Sequence, residues 1–170
     1  LQNEAGFLAT EVKLELIARL IGCGLRCIEA TAFVSPKWVP QMRDAAELYP
    51  LLPKHGACRF PVLVPNIQGY ERARACGVTD IAVFTAASEA FSRKNINASV
   101  AESLERFKPV FERARHDGVN VRGYVSTVLG CPYQGKVEVS AVAAVSKQLF
   151  ELGCYEISLG DTIGTGTARA

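Results

Sequence analysis

The sequence predicts an α/β protein built on a (β/α)8 (TIM) barrel, with about five of the eight strands present in its 170 residues. Three observations carry this. Helical and strand patterns alternate strictly, as a parallel sheet with right-handed crossovers requires. No G-x-G-x-x-G follows a strand, which argues against a dinucleotide-binding doubly wound sheet. One parity of several strands is polar: Cys27, Glu29 and Thr31; Arg122, Tyr124 and Ser126; Glu156 and Ser158. The opposite parity is mainly apolar, including Ile28, Val121, Val125, Tyr155, Ile157 and Leu159. A doubly wound sheet is apolar on both faces, whereas one parity can line a barrel while the other packs on the outer helices.

The elements follow in order. Thr10 can cap a first helix whose apolar residues Val12, Leu14, Leu16, Ile17, Leu20 and Ile21 form one broad face, ended by Gly22 and Gly24. A strand over 25–31 leads into a Pro-punctuated loop, 35–40, and a helix over 42–52. A strand over 59–64, a helix over 67–75 ended by Gly77 and a strand over 80–85 come next. A polar loop, 88–97, precedes a helix over 100–115 that Gly118 terminates. A strand over 119–128, a helix over 137–152 closed by Gly153 and a strand over 154–159 complete the chain. We read 1–170 as one partial barrel domain; closure would need one strand before Leu1 and two after Ala170.

Composition narrows the function. Apolar residues make up 49% and charged residues 21%, ordinary usage for a globular domain. Nineteen basic and 17 acidic residues are interspersed for a net charge of +2, with no basic run, so no nucleic-acid partner is expected. No apolar stretch approaches the ~20 residues of a membrane helix, so no membrane partner is expected. The six cysteines form no Cys-x-x-Cys pair, which points to a reduced, intracellular setting. His55 and His116 lie far apart, so any metal would take oxygen ligands or residues that this chain lacks.

The candidate site residues cluster at strand ends, where barrel enzymes carry their chemistry. Glu29, near the end of its strand, must be paired, metal-linked or protonated if it faces a lumen. It can orient a metal shell or an Arg, or form an interior ion pair with Arg122. Arg122 and Tyr124 share a face and can hold a substrate carboxylate; the alternatives are that ion pair and simple packing. Ser158, Gly160, Asp161 and Thr162 form the leading candidate, with Gly160 admitting a ligand close to the backbone. Asp161 or Thr162 can instead cap a following helix. Asn95 lies beside Arg93 and Lys94, which can meet phosphates or sit in a solvated loop. Gly130 to Gly135 form a compact turn whose Cys131 has no evident neighbour to lower its pKa.

Together, the stretches LQNE from Leu1, IEATAFVSPKWVPQM from Ile28, ASEAFSRKNIN from Ala87, RGYVS from Arg122, GCPYQG from Gly130 and GCYEISLGDTIG from Gly153 resemble the hydroxymethylglutaryl-CoA lyases. These belong to a wider group of metal-dependent barrel lyases and acyl-transferring synthases. The resemblance implies metal-dependent retro-Claisen cleavage of 3-hydroxy-3-methylglutaryl-CoA to acetoacetate and acetyl-CoA, in leucine degradation and ketone-body formation. It implies a divalent cofactor, Mg or Mn, an acyl-CoA substrate and a homodimer. The setting would be bacterial cytoplasm or the mitochondrial matrix. The family's metal-binding Asp, His-x-His pair and Asn, and its mobile-loop Cys, match nothing in this chain, so direct metal ligands are expected outside it. Within the chain, the resemblance assigns Glu29 and Asp161 to catalysis. It assigns Gln2, Asn95, Arg122, Tyr124, Ser158 and Thr162 to substrate binding. The 170 residues alone are expected to be inactive. The competing readings are a condensing synthase acting on acetyl-CoA and a 2-oxo acid, and a non-catalytic acyl-CoA-binding piece of a barrel.

Overall fold

The computed structural model describes residues 1–54 and 56–168; His55, Arg169 and Ala170 lie outside the described residues. The strands form one sheet in the order β1-β2-β3-β4-β5, in which β1 (Thr31–Ala32) pairs parallel with β2 (Val62–Leu63), and β4 (Asn120–Ser126) pairs parallel with β5 (Glu156–Leu159). The chain divides into two compact units, 1–81 and 82–170, with the division inside β3 (Asp80–Ala86).

In the first unit, helix α1 (Thr10–Gly22) begins at Ala9 rather than at a Thr10 cap. Thr10 is instead buried, and its hydroxyl donates to Asp44 Oδ2 at 3.0 Å. The buried stripe of α1 is Thr10, Lys13 and Ile17, at i, i+3 and i+7, while Val12 and Leu16 are exposed. The expected helix over 42–52 breaks into a 3₁₀ turn Pro40–Met42, a single α-turn α2 (Ala45–Leu48) and a second 3₁₀ turn Tyr49–Leu51. Pro50 lacks the N–H that a continuous helix would use there. Ile17, Ile28, Leu48, Leu52 and Phe60 form the local core.

The first two strands are shorter than expected, and the reason lies in the hydrogen-bond ladder. Arg59 N–H donates to Arg26 O at 2.9 Å, and Ile28, Ala30 and Phe33 donate to the carbonyls of Arg59, Pro61 and Leu63. Pro61 cannot donate back, which interrupts the ladder. Cys27 faces Arg59 but Thr31 faces Val62, so four steps on one strand oppose three on the other. This is a one-residue bulge. It breaks the expected common face of Cys27, Glu29 and Thr31: Cys27 and Glu29 are exposed and Thr31 is buried. Helix α3 (Ile67–Ala75) keeps its predicted bounds, capped by Asn66 Oδ1, which accepts from Gly69 N–H at 2.9 Å.

In the second unit, the segment 88–97 is helix α4 (Glu89–Ile96) rather than a loop. Ser88 Oγ accepts from Phe91 N–H at 3.1 Å as its cap. Helix α5 (Val100–Asp117) starts at a reciprocal Ser99–Glu102 capping box and ends at Gly118 in the left-handed conformation, φ 66°. Its buried face (Leu104, Phe107, Val110, Phe111, Ala114) gives the unit its core, with Phe107 edge-on to Phe84 at 6.5 Å. Helix α6 (Val139–Leu152) contributes Val142, Val145 and Leu149. Strand β4 alternates as predicted: Val121, Gly123 and Val125 are buried, and Arg122, Tyr124 and Ser126 are half-buried. On β5, which lies at one end of the sheet order, Ile157 is half-buried, but Leu159 and the preceding Tyr155 are 58% and 45% exposed, so the expected packing of that parity on helices fails for both.

Candidate active site

The predicted site residues fall into separate groups. In the first unit, Gln2 and Glu29 line one cleft of about 350 Å³, together with Lys13, Thr31 and Met42. The bulge after Glu29 places consecutive residues of this strand along the cleft wall, which strict alternation would not do.

In the second unit, the parallel register sets Arg122 opposite Glu156 and Tyr124 opposite Ser158. The Arg122 guanidinium donates to Tyr124 Oη at 2.8 Å and to Glu156 Oε1 at 3.0 Å. Burial alone would lower its pKa, but the Tyr124 and Glu156 oxygens outweigh that and raise it, so it is a permanent cation. Its Nε is buried without a hydrogen-bond partner in the structure. Asn95 lies on a different element, exposed in the last turn of α4.

The strand end after β5 is a knot of capped turns. Asp161 accepts from Gly166 N–H at 2.7 Å through Oδ2 and from Thr165 N–H at 3.1 Å through Oδ1. Those Gly166 and Thr165 bonds hold its carboxyl below the ordinary carboxylate pKa, against a small opposing effect of burial. A Cβ at Gly166 would stand 2.6 Å from Leu129 Cδ1 and 2.9 Å from Asp161 Oδ2, so it would push both side-chain ends from their present places. Thr162 Oγ1 accepts from Thr127 N–H at 2.7 Å. Thr127 is fully buried with φ 60°, an uncommon conformation for a β-branched residue. Gly160, expected to leave room for a ligand, is itself bonded to β4: its N–H donates to Val125 O at 2.8 Å and its carbonyl accepts from Val128 N–H at 3.2 Å.

Three features escaped the sequence reading. The first is the buried trio Thr10, Lys13 and Asp44, whose only signal was a lysine in the stripe with Thr10 and Ile17. The second is strained Thr127, which nothing local announces. The third is Cys131, whose Sγ lies 3.0 Å from Ser88 Oγ and accepts from Tyr133 N–H. Burial alone would raise this thiol's pKa, but the Ser88 hydroxyl and the backbone N–H groups of Gln134, Tyr133 and Phe91 bring it below the ordinary value. Cys154 is the contrast, pushed up to about 12 by burial.

Parallel strands joined by helices, with polar side chains at the strand ends, define a β/α-barrel enzyme class. The family model described as HMGL-like matches residues 1–170, and the chain belongs to that family. It is 54% identical over 170 residues to the mitochondrial hydroxymethylglutaryl-CoA lyase of Bos taurus, covering 100% of this chain and 52% of that protein. It is 56% identical over 166 residues to the hydroxymethylglutaryl-CoA lyase of Pseudomonas mevalonii, covering 98% and 55%. The crystal structure of hydroxymethylglutaryl-CoA lyase from Pseudomonas aeruginosa superposes with a TM-score of 0.95 at 51% identity, covering 99% of this chain and 56% of that one. The chain thus spans about half the length of the relatives it matches, and it carries five strands of their barrel. The family is metal-dependent. Among the described residues, no group of three or more His, Cys, Asp or Glu side chains is arranged to hold a metal ion. No helix among the described residues is long and apolar enough to cross a membrane.

Proposed function

We propose that the protein carrying this chain cleaves 3-hydroxy-3-methylglutaryl-CoA to acetoacetate and acetyl-CoA. The observation that carries this is the extent of the likeness: lyases of animals and of a pseudomonad match nearly every residue at 54% and 56% identity. An acyl-CoA ligand is supported by a related lyase structure from baumannii, TM-score 0.92 at 30% identity, which is in complex with coenzyme A and 3-methylmalate.

In this reading Glu29 and Gln2 act from the cleft of the first unit, and, in the second, Arg122, Tyr124 and Ser158 bind the acyl group. The fixed charge of Arg122 suits a carboxylate or thioester oxygen. Asp161 is a weakened base, because backbone donors stabilise its ionised carboxylate. Its role is to shape the loop 161–166 and to present that loop, with Thr162, to the reacting hydroxyl. Asn95 contributes from α4 to binding the acyl-CoA. The metal is magnesium or manganese, with ligands beyond those described here. The protein acts as a homodimer, supported by exposed apolar side chains such as Phe150 at 65% and Leu159 at 58%. Relatives named mitochondrial, cytoplasmic and bacterial are consistent with bacterial cytoplasm or the mitochondrial matrix.

The test is an assay of the full-length protein for acetoacetate released from 3-hydroxy-3-methylglutaryl-CoA. We expect release that chelation with EDTA abolishes and Mg or Mn restores. Free CoA from acetyl-CoA and a 2-oxo acid, without acetoacetate, would identify a synthase instead. Light scattering on the same preparation is expected to give twice the chain mass; a monomer mass would remove the homodimer.

A further inference from the structure

A buried cation lies beside the cleft with no role in the chemistry outlined above. Lys13 and Asp44 are 5% and 4% exposed at their side chains and meet at 2.6 Å. A buried ion pair is a poor stability device, since well-packed apolar residues commonly serve as well. The contacts around this pair suggest another purpose. Lys13 Nζ also donates to Gln41 O at 2.6 Å. Gln41 Nε2 donates in turn to Glu4 O at 2.7 Å. Thr10 Oγ1 donates to the second Asp44 oxygen at 3.0 Å. Phe7 lies across the group, with Lys13 Nζ 4.5 Å and the Arg43 guanidinium 3.8 Å from its ring centre. One lysine thus joins helix α1, the turn Pro40–Met42 and the segment 1–4.

Each joined piece contributes to the cleft wall. Gln2 lies on the first segment, Lys13 on the helix and Met42 on the turn, where Met42 Sδ contacts Thr31 Oγ1 at 3.8 Å. Within the segment 1–4, Glu4 N–H also donates to Leu1 O at 3.1 Å. We infer that Lys13, Asp44 and Gln41 are positioning residues: they set the segment 1–4, and with it Gln2, against Glu29. Directional bonds specify that placement, whereas an apolar contact would fill the space without fixing it. The inference rests on the lyase reading for its catalytic consequence but not for its geometry.

Two variants of the full-length protein test it. Gln41→Ala removes a half-exposed side chain and leaves the core intact. The double variant Lys13→Met with Asp44→Leu replaces both charges together, so that neither is stranded. Lys13→Met alone is expected to lower Tm, because it leaves Asp44 buried without its cation. The double variant is expected to recover most of that Tm. In both Gln41→Ala and the double variant, kcat/KM for acetoacetate release is expected to fall about 10-fold or more, as misplacing a site segment does. Amide hydrogen exchange over residues 2–8 is expected to speed up in both. A double variant with recovered Tm, native kcat/KM and native exchange would reduce the group to a structural ion pair and overturn the inference. If the unmodified protein releases no acetoacetate, the lyase reading fails, and the exchange rates alone decide whether the tie holds the segment.

Discussion

Asp161 condenses the residue-scale argument. A carboxylate engaged by two backbone N–H groups keeps its charge and its orientation but loses much of its appetite for a proton. Asp161→Asn would set an amide N–H₂ against at least one of those donors and release the 161–166 turn. In the full-length protein we expect turnover to fall by more than ~10-fold, as misplacing a site segment does, and a smaller loss would remove this loop-shaping role from catalysis. Arg122 is a second case. The sequence put Arg122 and Tyr124 on one face and offered an ion pair as the alternative to ligand binding. The structure has Arg122 bonded to Glu156 and Tyr124, with Nε left over. Structural pairing and ligand recognition are compatible in one guanidinium, because its five donors exceed what either task uses.

Among the elements, α5 was legible and α2 was not, for the same kind of reason. Ser99, Glu102 and Gly118 are local signals within a turn of each end of α5, so both ends could be read from the chain. The stretch 42–52 looked helical by its apolar spacing, yet Pro50 broke it into single turns. The burial of Lys13 was not legible, because its partner Asp44 is 31 positions away and no local pattern encodes that meeting. The cap of α5 gives a test at this scale. Ser99→Ala is expected to cost about 1 kcal/mol, read as a fall in unfolding free energy. Glu102 accepts from Ser99 N–H at 2.7 Å, and the Ser99 backbone and hydroxyl bonds lower its pKa. A depressed carboxyl pKa stabilises the fold above its unfolded value and ceases to do so as pH falls through the folded value. The stability difference between wild type and Glu102→Gln is therefore expected to be full at neutral pH and to vanish on acidification below about pH 4.

For the whole molecule, the alternation of helices and strands gave a parallel sheet, and the polar parity of its strands favoured a barrel over a doubly wound sheet. Those signals are periodic and survive errors of a residue or two at each boundary. Placement of the site was less legible, because it depends on interruptions of the period. Pro61 and the bulge redirect Glu29 and Thr31, and Thr162 props up a left-handed Thr127. The family likeness brings the substrate and the metal into the account; the residues described here bring a cleft, a fixed cation and a set of capped turns.

The bulge between Cys27 and Thr31 also bears on how this strand can change over time. In a regular strand, a point substitution is the ordinary event and the spacing is neutral. Here the spacing itself carries information: removing one residue would restore an even ladder and turn the side chains on one side of the deletion to the opposite face. Either Glu29 or the run from Thr31 to Phe33 would then leave its present wall. Length variation within these few positions should therefore be rarer than substitution, even where the replaced side chains are tolerant.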